Sequence, residues 1–170
     1  MLLRVARLLL AGLLGVSVAV GCVAAGIIPL MFLDRSDVTR RMASSGIDAS
    51  SALPWLAVML ALIAAIAALA FFFIRHLRSI VDSVSQGDPF IPANAERLHK
   101  MAWLTLAIQG LAIPMNRLAV WFDAAPQVAN VYHNRNGISA GALILAMTLF
   151  ILARVFREGT RLRDDAQGMV

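Results

Sequence analysis

The chain has 170 residues, 60% hydrophobic and only 15% charged, with a mean hydropathy of +0.78. A soluble domain carries about 25% charged residues and about 45–50% apolar ones. The composition therefore excludes a disordered chain, a nucleic-acid-binding domain and a conventional soluble enzyme, and leaves a polytopic membrane protein of one domain. Fifteen Lys/Arg against ten Asp/Glu give a net charge of +5, and fourteen of the fifteen are Arg. They lie almost entirely between long apolar runs, so the excess reads as membrane orientation, and no direct nucleic-acid contact is expected.

Four apolar runs follow in chain order. Residues 8–33 carry no charge, more than the ~20 residues that a helix needs to cross a bilayer. Residues 52–74 form a second charge-free run, closing on Phe71, Phe72 and Phe73. The third, 101–122, is interrupted by Gln109, Pro114, Asn116 and Arg117. The fourth opens at Gly137, is the shortest, and should continue as a helix through Arg154 and Phe156, giving 137–156. These runs are continuous rather than alternating, which excludes a barrel, and a backbone without water must close its hydrogen bonds within helices. The expected fold is all-α: a polytopic four-helix transmembrane bundle over residues 1–170, with an amphipathic inner connection and a basic C-terminal helical tail.

The first run starts behind Arg4 and Arg7 as a signal peptide would, and Ala19-Val20-Gly21-Cys22 resembles a weak lipoprotein box. Apolar sequence continues for eleven residues past Cys22, so a retained span is expected. Cys22 is the sole cysteine. It excludes an intramolecular disulfide or a Cys-rich zinc site and reads as a small buried apolar residue.

Basic residues set the orientation. Arg4, Arg7, Arg75, Arg78, Arg97, Lys100, Arg154, Arg157, Arg161 and Arg163 fall on one side. Arg35, Arg40, Arg41, Arg135 and Arg117 are all that the other side can claim. Both termini should face the cytoplasm of a cell whose inner membrane holds the protein.

The inner connection carries Leu77, Ile80, Val81 and Val84 at helical spacing, so span two should run on as an amphipathic helix along the membrane surface. It should stop at Gln86-Gly87-Asp88-Pro89-Phe90 and restart at Pro92, with Asn94 as N-cap and Glu96 in the first turn. A re-entrant hairpin that links two spans is preferred there over a dedicated ligand site. Arg117 reads as an outer-edge residue snorkelling beside Trp121. The sharper alternative joins Gln109, Asn116 and Arg117 into a polar site loosened at Pro114. Ser17, Gly21 and Ala25, then Ala61, Ala65 and Leu69, and Gly137 with Gly141, repeat at four-residue spacing and suit close contacts within a bundle or a homo-oligomer.

No catalytic constellation appears. His76, His99 and His133 are divided between the two sides, and the carboxylates fall in loops. No metal, cofactor or enzymatic activity is expected.

Gly87-Asp88-Pro89-Phe90 with Asn94 and Leu98, and the closing Val155-Phe156-Arg157-Glu158-Gly159 with Leu162-Arg163-Asp164-Asp165 and Val170, resemble the bacterial membrane-protein family catalogued as domain of unknown function 2975. The chain ends Gln167-Gly168-Met169-Val170 where that family usually ends Glu-Gly-Thr-Val. The resemblance implies an integral membrane protein without an established activity, often paired with a small helix-turn-helix regulator. On this reading Gly87, Pro89, Phe90, Asn94, Arg157, Glu158, Gly159 and Asp165 form a candidate cytoplasmic interaction face. The tail also reads as a basic juxtamembrane helix on anionic lipid, with Arg161 and Asp165 paired at i,i+4. The expected function is a membrane sensor or anchor that works through a cytoplasmic partner. A small transporter or channel subunit is the alternative, and a membrane-embedded enzyme ranks third.

Overall fold

The computed structural model describes residues 2–44, 49–87, 89–121 and 139–167, and is all-α over them. Among the described residues there are five helices: α1 (Leu2–Leu33), α2 (Arg35–Ser44), α3 (Ala49–Ser85), α4 (Pro92–Trp121) and α5 (Ala140–Gln167). Three are long and apolar enough to cross a membrane, over Val5–Leu33, Leu53–Ser85 and Ala140–Arg163. α4, at 30 residues, is long enough but less apolar, because Gln109, Pro114, Asn116 and Arg117 fall within it. The expected fourth-span start at Gly137, together with Asp88, Phe122, Asp123, His133, Arg135 and Val170, lies outside the described residues.

The helices pack as a chain of neighbours: α1 against α3, α3 against α4, and α4 against α5. Between Leu10 and Met31 the buried or half-buried positions of α1 are Leu10, Leu14, Ser17, Gly21, Ala24, Ile28 and Met31. Their alternating steps of four and three make a 3.5-residue seam, the period of left-handed knobs-into-holes packing. Gly21 lies on it, facing Ala67 of α3. Ala25, placed on the contact by the four-residue pattern, is exposed instead, as is Cys22, expected to be buried. Strict four-residue spacing moves about 40° round the helix at each step, whereas a 3.5-residue seam moves only about 20° in seven residues, which a slight supercoil takes up. The rest of α1 presents Leu8, Leu9, Leu13, Val16, Val23 and Leu30 outward. Such a face is untenable in water and ordinary in lipid. Hydroxyls within the apolar segments donate to their own helix, Ser17 to Leu13 O at 3.0 Å and Thr148 to Ile144 O at 2.8 Å, and so need no partner.

α2 stands where the sequence reading left a loop. Asp34 O accepts from Asp37 N and Val38 N at 3.0 and 3.1 Å, and the acidic Asp37 occupies the first turn. That is a helix start complementary to the dipole.

α3 is a single helix of 37 residues, about 55 Å long. Its extension past Ile74 packs in part on protein. Leu77 and Ile80 pack with Phe73 on a core of Leu98, Met101, Ala102, Leu149 and Ala153, so protein covers that part of the amphipathic face, while Val84 stays exposed. Gln86 and Gly87 close the helix through bonds to Ser83 O and Val84 O. Gly87 takes φ +91°, which a side chain would resist.

α4 starts at Pro92, the first-turn position where proline's missing N–H costs nothing. Asn94 N donates to Ile91 O at 2.9 Å, so Ile91 caps the helix and Asn94 is its third residue. This corrects the expected N-cap and moves Glu96 out of the first turn. α5 is capped by Ser139, whose Oγ accepts from Ala142 N at 3.4 Å. It runs unbroken into the basic tail as expected, and as far as Gln167.

Candidate functional site

One end of the molecule gathers the start of α1, the end of α3, the start of α4 and the tail of α5. Arg7 Nε lies 2.8 Å from Asp82 Oδ1, and the same guanidinium donates to the Ser85 hydroxyl, tying α1 to α3. Arg78 Nε stands 4.0 Å from the other Asp82 oxygen.

Asn94 is the hub of the α3–α4 elbow and is 0% exposed. Its Nδ2 donates to Ser83 Oγ at 2.6 Å and to Pro89 O at 2.9 Å, and its Oδ1 accepts from Arg97 Nη1 at 2.8 Å. Arg97 also reaches Ser79 O at 3.4 Å. A buried amide satisfied on both ends fixes a turn and leaves nothing for a ligand. Asn94 is therefore a structural residue of the face.

The two stretches singled out in the sequence meet here. The Phe90 ring lies 5.2 Å from the Phe156 ring, tilted by 36°. It also covers Gly159, where an added Cβ would come within 3.1 Å of Phe90 Cδ1. The buried Thr160 hydroxyl lies 2.9 Å from Phe156 O and 3.4 Å from Phe90 O. Phe90 thus clips the connection onto α5 while staying 42% exposed.

Beside this clip is an open cleft of about 430 Å³. Pro92, Ala95 and Glu96 of α4 form one wall. Arg157, Thr160, Arg161 and Asp165 of α5 form the other. Lys100 Nζ holds Glu96 Oε1 at 2.7 Å, and that hydrogen bond keeps the Glu96 carboxyl below its ordinary pKa. Arg161 and Asp165 do not form the expected i,i+4 pair: among the described residues no ion pair joins them.

Of the candidate face, Pro89, Phe90, Asn94 and Gly159 are brought together, and Arg157 and Asp165 line the cleft. Glu158 is exposed outside it, and Gly87 serves only the turn. Sequence reasoning missed Thr160, Ser83, Arg7 and Asp82. Their partners lie as many as 78 residues away, and only the adjacency of Thr160 to Gly159 offered a signal.

The intramembrane candidates do not converge. Gln109 and Asn116 are half-buried, Arg117 is exposed, and no hydrogen bond or ion pair joins the three among the described residues. His99 is exposed but partnered within the protein. Its Nε2 accepts from Trp103 Nε1 at 3.2 Å, and its ring lies 5.3 Å from Phe150. Among the described residues no cluster of His, Cys, Asp or Glu has metal-site geometry.

A family model described as protein of unknown function (DUF2975) matches residues 39–169. The chain belongs to this family. The matched region of this DUF2975 protein holds both halves of the Phe90–Gly159 clip and the whole cleft, and begins after α1. None of the curated proteins and none of the solved structures matches the chain.

Proposed function

We propose that this DUF2975 protein is a non-enzymatic inner-membrane protein that crosses the bilayer four times, keeps both termini in the cytoplasm, and acts as a sensor or anchor through a cytoplasmic partner such as a helix-turn-helix regulator. The carrying observation is the Phe90–Gly159 clip. It joins segments about 70 residues apart into one face, at the end that also holds Arg7, Arg78, Arg97 and Lys100.

Counting α4 as the remaining span rests on its length and its neighbours. Thirty residues cover about 45 Å, and α4 packs against both α3 and α5. Contact with protein on two sides shelters the half-buried Gln109 and Asn116, and the exposed Arg117, near the end of the helix, can snorkel to the surface. The four long helices then form a bundle with an even number of crossings, which supports the charge-derived topology.

A pull-down from detergent-solubilised membranes is the test. Wild type should recover a cytoplasmic protein that a chain truncated after Arg154 does not. Recovery of none, or of the same protein by both, contradicts the proposal.

One observation favours the transporter alternative: Gln109 Nε2 is buried without a hydrogen-bond partner. Under that reading, Arg117→Ala changes a flux in reconstituted vesicles. Under the proposed function it leaves every flux unaltered.

A further inference from the structure

We propose that the cleft between α4 and α5 takes an acidic segment of a cytosolic protein, with its carboxylates on Arg157 and Arg161. This deepens the proposed function and rests on its placing of this end in the cytoplasm.

The polar groups of the cleft differ in what they have left to offer. Glu96 is held by Lys100 at 2.7 Å, and the Thr160 hydroxyl is engaged with the carbonyls of Phe156 and Phe90. Arg157 and Arg161 are exposed, and among the described residues no carboxylate lies within ion-pair distance of either. They stand one turn apart on α5, about 6 Å along its axis. Each offers a planar fork of donors that suits a carboxylate in a bidentate pair. With Glu96 neutralised by Lys100, the two arginines outweigh Asp165, so the cleft favours an anionic occupant against the wall of Pro92 and Ala95.

Depth decides between protein and lipid. The α4 wall gives the depth: Glu96 lies about 7 Å and Pro92 about 13 Å before Met101, where the third apolar run opens. A headgroup layer adds only about 5–8 Å to each side of the hydrocarbon. The cleft therefore extends past the headgroups into water. A second copy suits it less well: an axis along the membrane normal brings equal depths together, so arginine would face arginine.

The test uses the full-length chain in phosphatidylcholine nanodiscs. The probe is a labelled helical Ala/Gln peptide with glutamates four residues apart, and the control is the same peptide with lysines. The glutamate peptide should bind saturably, and about tenfold more tightly than the lysine peptide. Arg157→Ala with Arg161→Ala should remove that preference without moving the unfolding temperature, because both side chains are exposed. Gly159→Leu, which keeps both arginines but displaces Phe90, should weaken binding through the shape of the cleft.

Equal binding of the two peptides, or undiminished binding by the double variant, overturns the proposal. So does native mass spectrometry showing phosphatidylglycerol retained by wild type and lost from the double variant, since the arginines then serve lipid. A tail-dependent protein in the pull-down with no peptide preference removes this inference and leaves the proposed function. A peptide preference with an empty pull-down removes the function and leaves the charge preference of the cleft.

Discussion

A side chain at residue 159 would have to share space with the Phe90 ring. The added Cβ of Gly159→Ala stands 3.1 Å from Phe90 Cδ1, a gap that a shift of a few tenths of an ångström by the half-exposed ring relieves. Gly159→Leu has no such relief and should cost about 1–3 kcal/mol, as overpacking does. Phe90→Ala in the Gly159→Leu background should recover most of that loss in a thermal unfolding assay. Additive losses would mean that the two residues do not share the contact. Asn94→Ala leaves Ser83, Pro89 and Arg97 without their partner and should destabilise by about 1–3 kcal/mol. Loss of Glu96 should matter little, because its pair with Lys100 is solvent-exposed. What that pair contributes is present above the ordinary carboxylate pKa and fades as pH falls through the lowered value. Both Phe90 and Asn94 were legible in the sequence as residues that matter, but their roles were not. An asparagine near a helix start reads as a cap, and only the bond from Asn94 N to Ile91 O shows the cap to lie three residues earlier.

Apolar length made α1 and α3 legible as elements, and the terminal helix was expected to run on into the basic tail, as α5 does. What sequence periodicity could not resolve was which apolar face meets protein. The extension of α3 carries a helical stripe that suits lipid and α4 equally. The choice follows from the Asn94 elbow, which folds α4 back against that face. The seam of α1 is similar: small residues are common in Ala-rich spans, and only packing separates Ala24 from Ala25. A substitution series tests the seam. Gly21→Ala should be neutral or slightly stabilising, since its Cβ would rest 3.6 Å from Ala67 Cβ, an ordinary contact, and alanine favours helix. Gly21→Leu should destabilise by forcing α1 from α3, whereas Gly12→Leu and Gly26→Leu, which face open space, should not. Equal losses at Gly21 and Gly26 would contradict the packing.

At the scale of the molecule, two independent lines converge on one end. Charge counting assigns Arg7, Arg78, Arg97, Lys100 and Arg157 to one side of a membrane. Packing gathers the segments that carry them, through Arg7 with Asp82, Asn94 with Ser83, and Phe90 with Phe156. Phosphatase fusions at four points test that convergence, because the enzyme is active only outside the cytoplasm. Fusions after Gln86 and after Val170 should be inactive, and those after Asp48 and Asn134 active. Activity after Val170 would put the α5 tail on the side opposite the α3–α4 connection, and neither the Phe90 clip nor the proposed cytoplasmic face would survive that result.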